Sequence, residues 1–349
     1  MTAAEVTAPA AAVGADVGRP SLCRMYNHWL RGKDHYPVDR DACHYVTGYA
    51  TGWELAVRAS REWLRHRVCD LAAAGVDQFL VLGAGLPVAS EPAVHELASR
   101  ALGGRPARVV YVEADPLAAL YNHAELADHV VVHAVRADLT DPADVRHRVR
   151  AAGSVVDWSR PVAVLLPDSL PHVPDDPGHA TVVRRWRAML APGSWIVASH
   201  YTDPGLRSAA HLYAAVLQQQ FTAFVGSGWF RSRAEIEACF DGLELLPPGI
   251  SDLTAWPTAV ASATPLPMEA RLILCGLGRI PDPDQQPGDM LMSIDTPRGR
   301  GVAVAESALA VSLVAVRCGS NQALVTARCA GYDGLAAQVE SGHRLLPGR

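Results

Sequence analysis

The chain has 349 residues, 49% hydrophobic and 19% charged, with a formal net charge of −5, enough apolar material for one large α/β core and an appendage. That balance supplies no basic field for binding nucleic acid through its phosphates, and no uncharged apolar run approaches the ~20 residues of a membrane span. Seven cysteines, Cys23, Cys43, Cys69, Cys239, Cys275, Cys318 and Cys329, are scattered without a C-x-x-C pair, which argues for free thiols in a cytoplasmic setting and against a disulfide framework or a zinc knuckle.

Residues 1–18 lack a basic start followed by an unbroken apolar core and read as a disordered leader rather than a signal peptide. Residues 19–53 interleave aromatics with charge, including Tyr26, Trp29, Lys33, Asp34, His35, Tyr36 and Arg40. Pro37 suits the first turn of a helix over 38–49, so this segment is read as a helical cover, lying over a ligand cleft or simply over the core. Leu64, Val68, Leu71 and Ala72 then mark a helix that stops at Gly75, with Arg61, Arg65 and Arg67 on its solvated face.

The apolar run Phe79-Leu80-Val81-Leu82 breaks into Gly83-Ala84-Gly85-Leu86-Pro87. A buried strand ending in two glycines is a place where backbone can pass close to a ligand, although a G-x-G after a strand is also ordinary loop punctuation. Further strands at 108–112 and 129–135 run into Glu113-Ala114-Asp115-Pro116 and Ala137-Asp138-Leu139, with helices at 92–102 and 117–126 between them. Acids therefore follow two successive strands after the glycine turn, at the edge where an open parallel sheet has its ligand crevice.

Pro142 opens another helix, 162–166 reads as a fourth buried strand, and a loop over 167–178 carries Asp168, His172, Asp175 and Asp176. A helix over 179–190 and a fifth strand over 195–199 follow, aiming His200, Tyr201 and Asp203 at the same rim. Ser232-Arg233-Ala234-Glu235 has the spacing of a capping box. Residues 243–246 and 271–275 suit a terminal antiparallel pair, separated by a Pro-rich excursion over 247–267. Beyond Ile280 come a linker over 281–288, two apolar stretches at 308–316 and 323–325, and a polar tail.

Arg19-Pro20-Ser21, Gly32-Lys33-Asp34, the glycine turn, Tyr111-Val112-Glu113-Ala114-Asp115-Pro116, Ala137-Asp138-Leu139, His172-Val173-Pro174-Asp175-Asp176, Ala191-Pro192-Gly193-Ser194 and Arg231-Ser232-Arg233-Ala234-Glu235-Ile236 occur in order. Together they resemble the actinobacterial S-adenosylmethionine-dependent methyltransferase family of undefined substrate, over roughly 19–278. The resemblance implies a doubly wound, seven-stranded, Rossmann-like α/β sheet of the class I methyltransferase type over 54–278, with the 19–53 cover and a small extension over 279–349 of unknown role. It implies S-adenosylmethionine as cofactor, contacted by Gly83, Ala84, Gly85, Glu113, Ala114, Asp138 and Leu139. A carboxylate at Glu113 suits a ribose diol, and Asp138 suits the adenine amino group. The acceptor is expected to be a small molecule.

The chain departs from that family at Val81, where an acid is usual, at Ala84 and Val88, where Ser or Thr is common, and at Arg31, where Gly is usual. Methyl transfer needs alignment more than side-chain chemistry, and the candidates for a base are His172, His200, Asp168, Tyr26 and Lys33. His172, Asp175, Asp176 and His179 invite a metal, but their spacing is not that of a helical zinc pair and no metal is expected. Two other readings stay open: a catalytically lapsed cofactor-binding or regulatory protein, favoured by Val81, and a nicotinamide-dependent oxidoreductase, which Val88 disfavours by standing where that fingerprint has its third glycine.

Overall fold

A computed structural model describes residues 14–153, 155–256, 265–282, 291–296, 299–305, 311–318 and 321–328. Most of the leader, the middle of the Pro-rich excursion, nearly all of the linker and the polar tail lie outside the described residues. The chain divides into two compact units, one holding nearly everything up to Asp282 and the other the segments beyond it.

The first unit begins with α1 (Leu22–Trp29), α2 (Pro37–Tyr49) and α3 (Trp53–Ala73). Strands and helices then alternate: β1 (Gln78–Leu82), α4 (Val94–Ala101), β2 (Arg108–Glu113), α5 (Pro116–Glu125), β3 (Val132–Arg136), α6 (Pro142–Ala151), β4 (Ala163–Leu166), α7 (His179–Met189) and β5 (Trp195–Tyr201). The chain continues through α8 (His211–Val225), α9 (Arg233–Glu237), β6 (Glu244–Leu245), β7 (Ser251–Asp252) and β8 (Ile273–Arg279). Local chemistry sets several of these boundaries. Pro116 and Pro142 occupy first turns behind Asp115 and Asp141, whose carboxylates accept two backbone N–H groups each. The box at α9 forms as its spacing predicts, Glu235 accepting from the Ser232 amide at 2.9 Å.

The strands order as β3-β2-β1-β4-β5-β8-β6 in one sheet, with β7 also on β8. β1 to β5 are parallel to their neighbours, whereas β8 runs antiparallel to β5, β6 and β7. This is the expected doubly wound sheet with a reversed strand near its edge. It has eight strands rather than seven, because the expected partner of β8 is the two-residue β6 and a further two-residue strand, β7 from the Pro-rich excursion, also pairs with β8. Chain order reverses at β1, which lies between β2 and β4, and that switch point opens a crevice beyond the carboxyl ends of the three strands.

On one face of the sheet Leu80, Leu82, Val110, Val112, Val164 and Leu166 form a core with Val145 and Val149 of α6 and Val182 and Trp186 of α7. The alternate residues Phe79 and Val81 face the opposite layer, where α3 buries Trp63, Leu64, Val68 and Leu71. The N-terminal helices belong to this unit's interior: Trp29 is buried and meets Phe221 of α8 edge-on, and Phe221 stacks with Tyr201 of β5. The second unit holds an antiparallel sheet of β9 (Leu291–Thr296), β10 (Gly299–Ala305), β11 (Val311–Cys318) and β12 (Asn321–Arg328), in chain order.

Candidate functional site

The crevice holds a cavity of about 160 Å³ whose walls include Gly83, Ala84, Gly85 and Leu86 after β1, Glu113 at the end of β2, Leu139 after β3 and Asp168 and Ser169 after β4. α1 closes it with Leu22, Cys23, Tyr26, Asn27 and Leu30. The cover is tied down on three sides. Ser21 Oγ donates to Asp115 at 2.9 Å, Asn27 Nδ2 donates to the Pro87 carbonyl at 3.2 Å, and the Tyr26 hydroxyl meets that of Tyr201.

Gly83 is required by two facts at once. Its φ is +75°, and a Cβ there would lie 2.8 Å from Cβ of Ser169. The amides of the turn are directed at β2. The Gly83 and Ala84 amides both donate to the Val112 carbonyl, at 2.9 and 3.1 Å, and the Gly85 amide donates to Glu113 Oε2 at 2.8 Å. The turn therefore offers a ligand close approach and shape, while its N–H groups hold β2.

Glu113 is 7% exposed. Its second oxygen accepts from the Asp115 amide at 2.9 Å, so two backbone donors orient the carboxylate at the cavity wall, each oxygen keeping a further acceptor direction. Burial pushes its pKa up, against the pull of those amides.

Asp168 is the other carboxylate of the cavity, 5% exposed and in the left-handed region at φ 48°. Its Oδ1 accepts from Ser60 of α3 at 3.0 Å and from Ser199 of β5 at 2.5 Å, and its amide donates to Ser199 Oγ at 2.8 Å. Burial raises its pKa, while the two serine hydroxyls, Arg61 and Tyr26 lower it.

Of the predicted cofactor contacts, the structure gathers Gly83, Ala84, Gly85, Glu113 and Leu139 around this cavity. Ala114 and Asp138 are exposed beside it, and Asp138 Oδ1 is engaged by the Thr140 amide and hydroxyl, both at 2.8 Å. Among the candidate bases, Tyr26, His172 and Asp168 line the cavity, whereas Lys33 is exposed and does not. His200 points away, because strand neighbours alternate faces: Tyr201 turns toward Tyr26, and His200 packs against His179 with ring centroids 4.9 Å apart. His172 hydrogen-bonds Ser227 Oγ at 2.7 Å, and burial lowers its pKa to about 3, which makes it a weak proton acceptor near neutrality. The suggested metal ligands serve other partners: Asp175 pairs with Arg231 at 2.7 Å and His179 bonds the Glu235 carbonyl at 3.0 Å. Sequence reasoning placed Tyr201 at this rim but missed Ser60 and Ser199, which meet Asp168 only through strand and helix packing.

An S-adenosyl methyltransferase family model matches residues 9–281. A solved structure of a proposed methyltransferase from Thermobifida fusca YX is 31% identical, covering 76% of this chain and 97% of that one with a TM-score of 0.67. A DUF574 family protein from Streptomyces avermitilis is 30% identical, with 76% and 99% covered and a TM-score of 0.69. No curated protein matches. The cavity's residues fit the family's cofactor, with a buried carboxylate for a diol, a glycine that admits close approach and apolar side chains Leu22, Leu86 and Leu139. With its crevice at the switch point of a doubly wound sheet and most of its length matched, the chain belongs to the S-adenosyl methyltransferase family, of class I fold.

Proposed function

We propose that this chain transfers a methyl group from S-adenosylmethionine directly to a small-molecule acceptor in the cavity beneath α1. The observation that carries the reading is the placement of Gly83 and Glu113 on adjacent strand ends around one cavity. In this reading Glu113 accepts from the ribose hydroxyls, Leu139 and Leu86 contact the adenine, and Asp138 reaches its amino group from the rim. S-adenosylmethionine supplies an activated methyl with its own leaving group, so the protein's task is to align, desolvate and exclude water. The acceptor side is bounded by Tyr26, Asp168 and His172. A cavity of about 160 Å³ suits a small molecule better than a macromolecule, and a net charge of −5 agrees. The thiols of Cys23, Cys43, Cys239 and Cys275, unbridged among the described residues, support a cytoplasmic setting.

The test is transfer of a labelled methyl group from S-adenosylmethionine to separated low-mass, protein and nucleic-acid fractions of a cell extract. Label in the low-mass fraction is expected. Label in either macromolecular fraction would overturn the acceptor class, and no transfer to any fraction by protein that binds the donor would favour a lapsed enzyme.

A further inference from the structure

The amino-acid end of the methyl donor carries an ammonium and a carboxylate on one carbon, and the amides of Gly83, Ala84 and Gly85 are all engaged with β2. The acid usual at position 81 is Val81 here, 1% exposed. Val81 pairs in register with Leu165 of β4, and Asp168 lies three residues further along that strand's exit, at the same sheet edge. A carboxylate is therefore present at the cavity wall, one strand over.

Its surroundings are those of a held anion. Two serine hydroxyls fix Oδ1, and Tyr26 is a third donor toward the group. The left-handed backbone at Asp168 persists against its cost of about 1–2 kcal/mol, as expected where packing holds a side chain for a task. Arg61, the next residue of α3, also lines the cavity. Arg61 reaches Glu91 at 3.5 Å, an ion pair that leaves other guanidinium N–H groups for a ligand. The charged residues lining the cavity are Arg61, Glu113 and Asp168. With both acids ionised they sum to −1, opposite to a donor with a sulfonium, an ammonium and a carboxylate.

We propose that Asp168 and Arg61 grip the amino-acid end of the donor, Asp168 receiving the ammonium and Arg61 the carboxylate, so that Asp168 stands in for the acid missing at position 81. This rests on the methyltransferase reading.

The experiment is calorimetry of the full chain with S-adenosylhomocysteine and with 5′-methylthioadenosine, which keeps the adenosyl thioether and lacks the amino-acid end. Wild type is expected to bind S-adenosylhomocysteine at least about tenfold more tightly. Asp168→Asn, which retains an acceptor for the two serines, is expected to weaken it by about ten- to a hundredfold and leave methylthioadenosine unchanged, and Arg61→Met to act in the same direction. Equal weakening of both ligands, or of neither, would overturn the proposal. If thermal melting shows that the variants do not fold, wild type decides: S-adenosylhomocysteine binding no tighter than methylthioadenosine overturns it. Wild type that binds neither ligand removes the methyltransferase reading itself, and the proposal with it.

Discussion

At the scale of single residues, the cavity is built from groups whose ordinary chemistry is bent by burial. His172 shows this in a measurable way. Its folded pKa of about 3 lies below the ~6.5 of an exposed histidine. The unfolded chain therefore takes up the proton first, and stability is present above pH ~6.5 and falls as pH drops from there toward 3. Burial acts on His200 with the same sign. Replacing His172 with Gln is expected to reduce the loss of stability between pH 7.5 and 4.5 by about 2–3 kcal/mol, read from urea denaturation at the two pH values; an unchanged difference would show that the imidazole is not held neutral. Arg31 illustrates a departure that the structure explains. It sits at φ 61°, where a glycine has no steric conflict, so the Gly usual in the family is the relaxed choice.

At the scale of elements, α1 belongs to the site and to the core together. The buried pair Arg24–Asp39, 2.7 Å apart and 2% and 0% exposed, joins α1 to the start of α2, and Asp39 also accepts from the Ser21 and Tyr36 amides. Arg24→Met would leave Asp39 buried without its cation, at a cost of about 3–5 kcal/mol. Denaturant titration should show that loss, with ligand affinity falling alongside as Tyr26 and Asn27 lose their position. Much of this layout was legible in the sequence. Apolar runs located β1, β2 and β4, the alternation of strands located α5, and Pro142 located α6. The helix α8 was not legible: His211–Val225 carries exposed apolar residues such as Leu212 beside its buried Ala214, Leu217 and Phe221 and has no side-chain cap, so the periodicity is blurred and no start signal marks it. The arginines of α3 misled for the opposite reason. Their spacing suggests a solvated face, yet Arg67 is 6% exposed and paired with Asp70, and Arg61 lines the cavity.

At the scale of the molecule, the order of strands turns separate sequence signals into one place. Gly83, Glu113 and Asp168 are far apart in the chain and meet because β2, β1 and β4 are neighbours that all end at one edge. The sequence signal at Glu113 was strong because an acid after a strand is informative by itself. That at Asp168 was weak, because its partners come from α3, β5 and α1, and only the packed sheet brings these together.

The central claim is that this edge binds the methyl donor through Glu113, and calorimetry of S-adenosylmethionine with wild type and Glu113→Gln tests it most directly. Glutamine keeps an acceptor for one of the two amides while removing the charge and one ribose acceptor. The account predicts measurable binding by wild type and an affinity about ten- to a hundredfold lower for the variant, with both proteins folded. No binding by wild type at millimolar donor, or equal affinity in the two proteins, would contradict it.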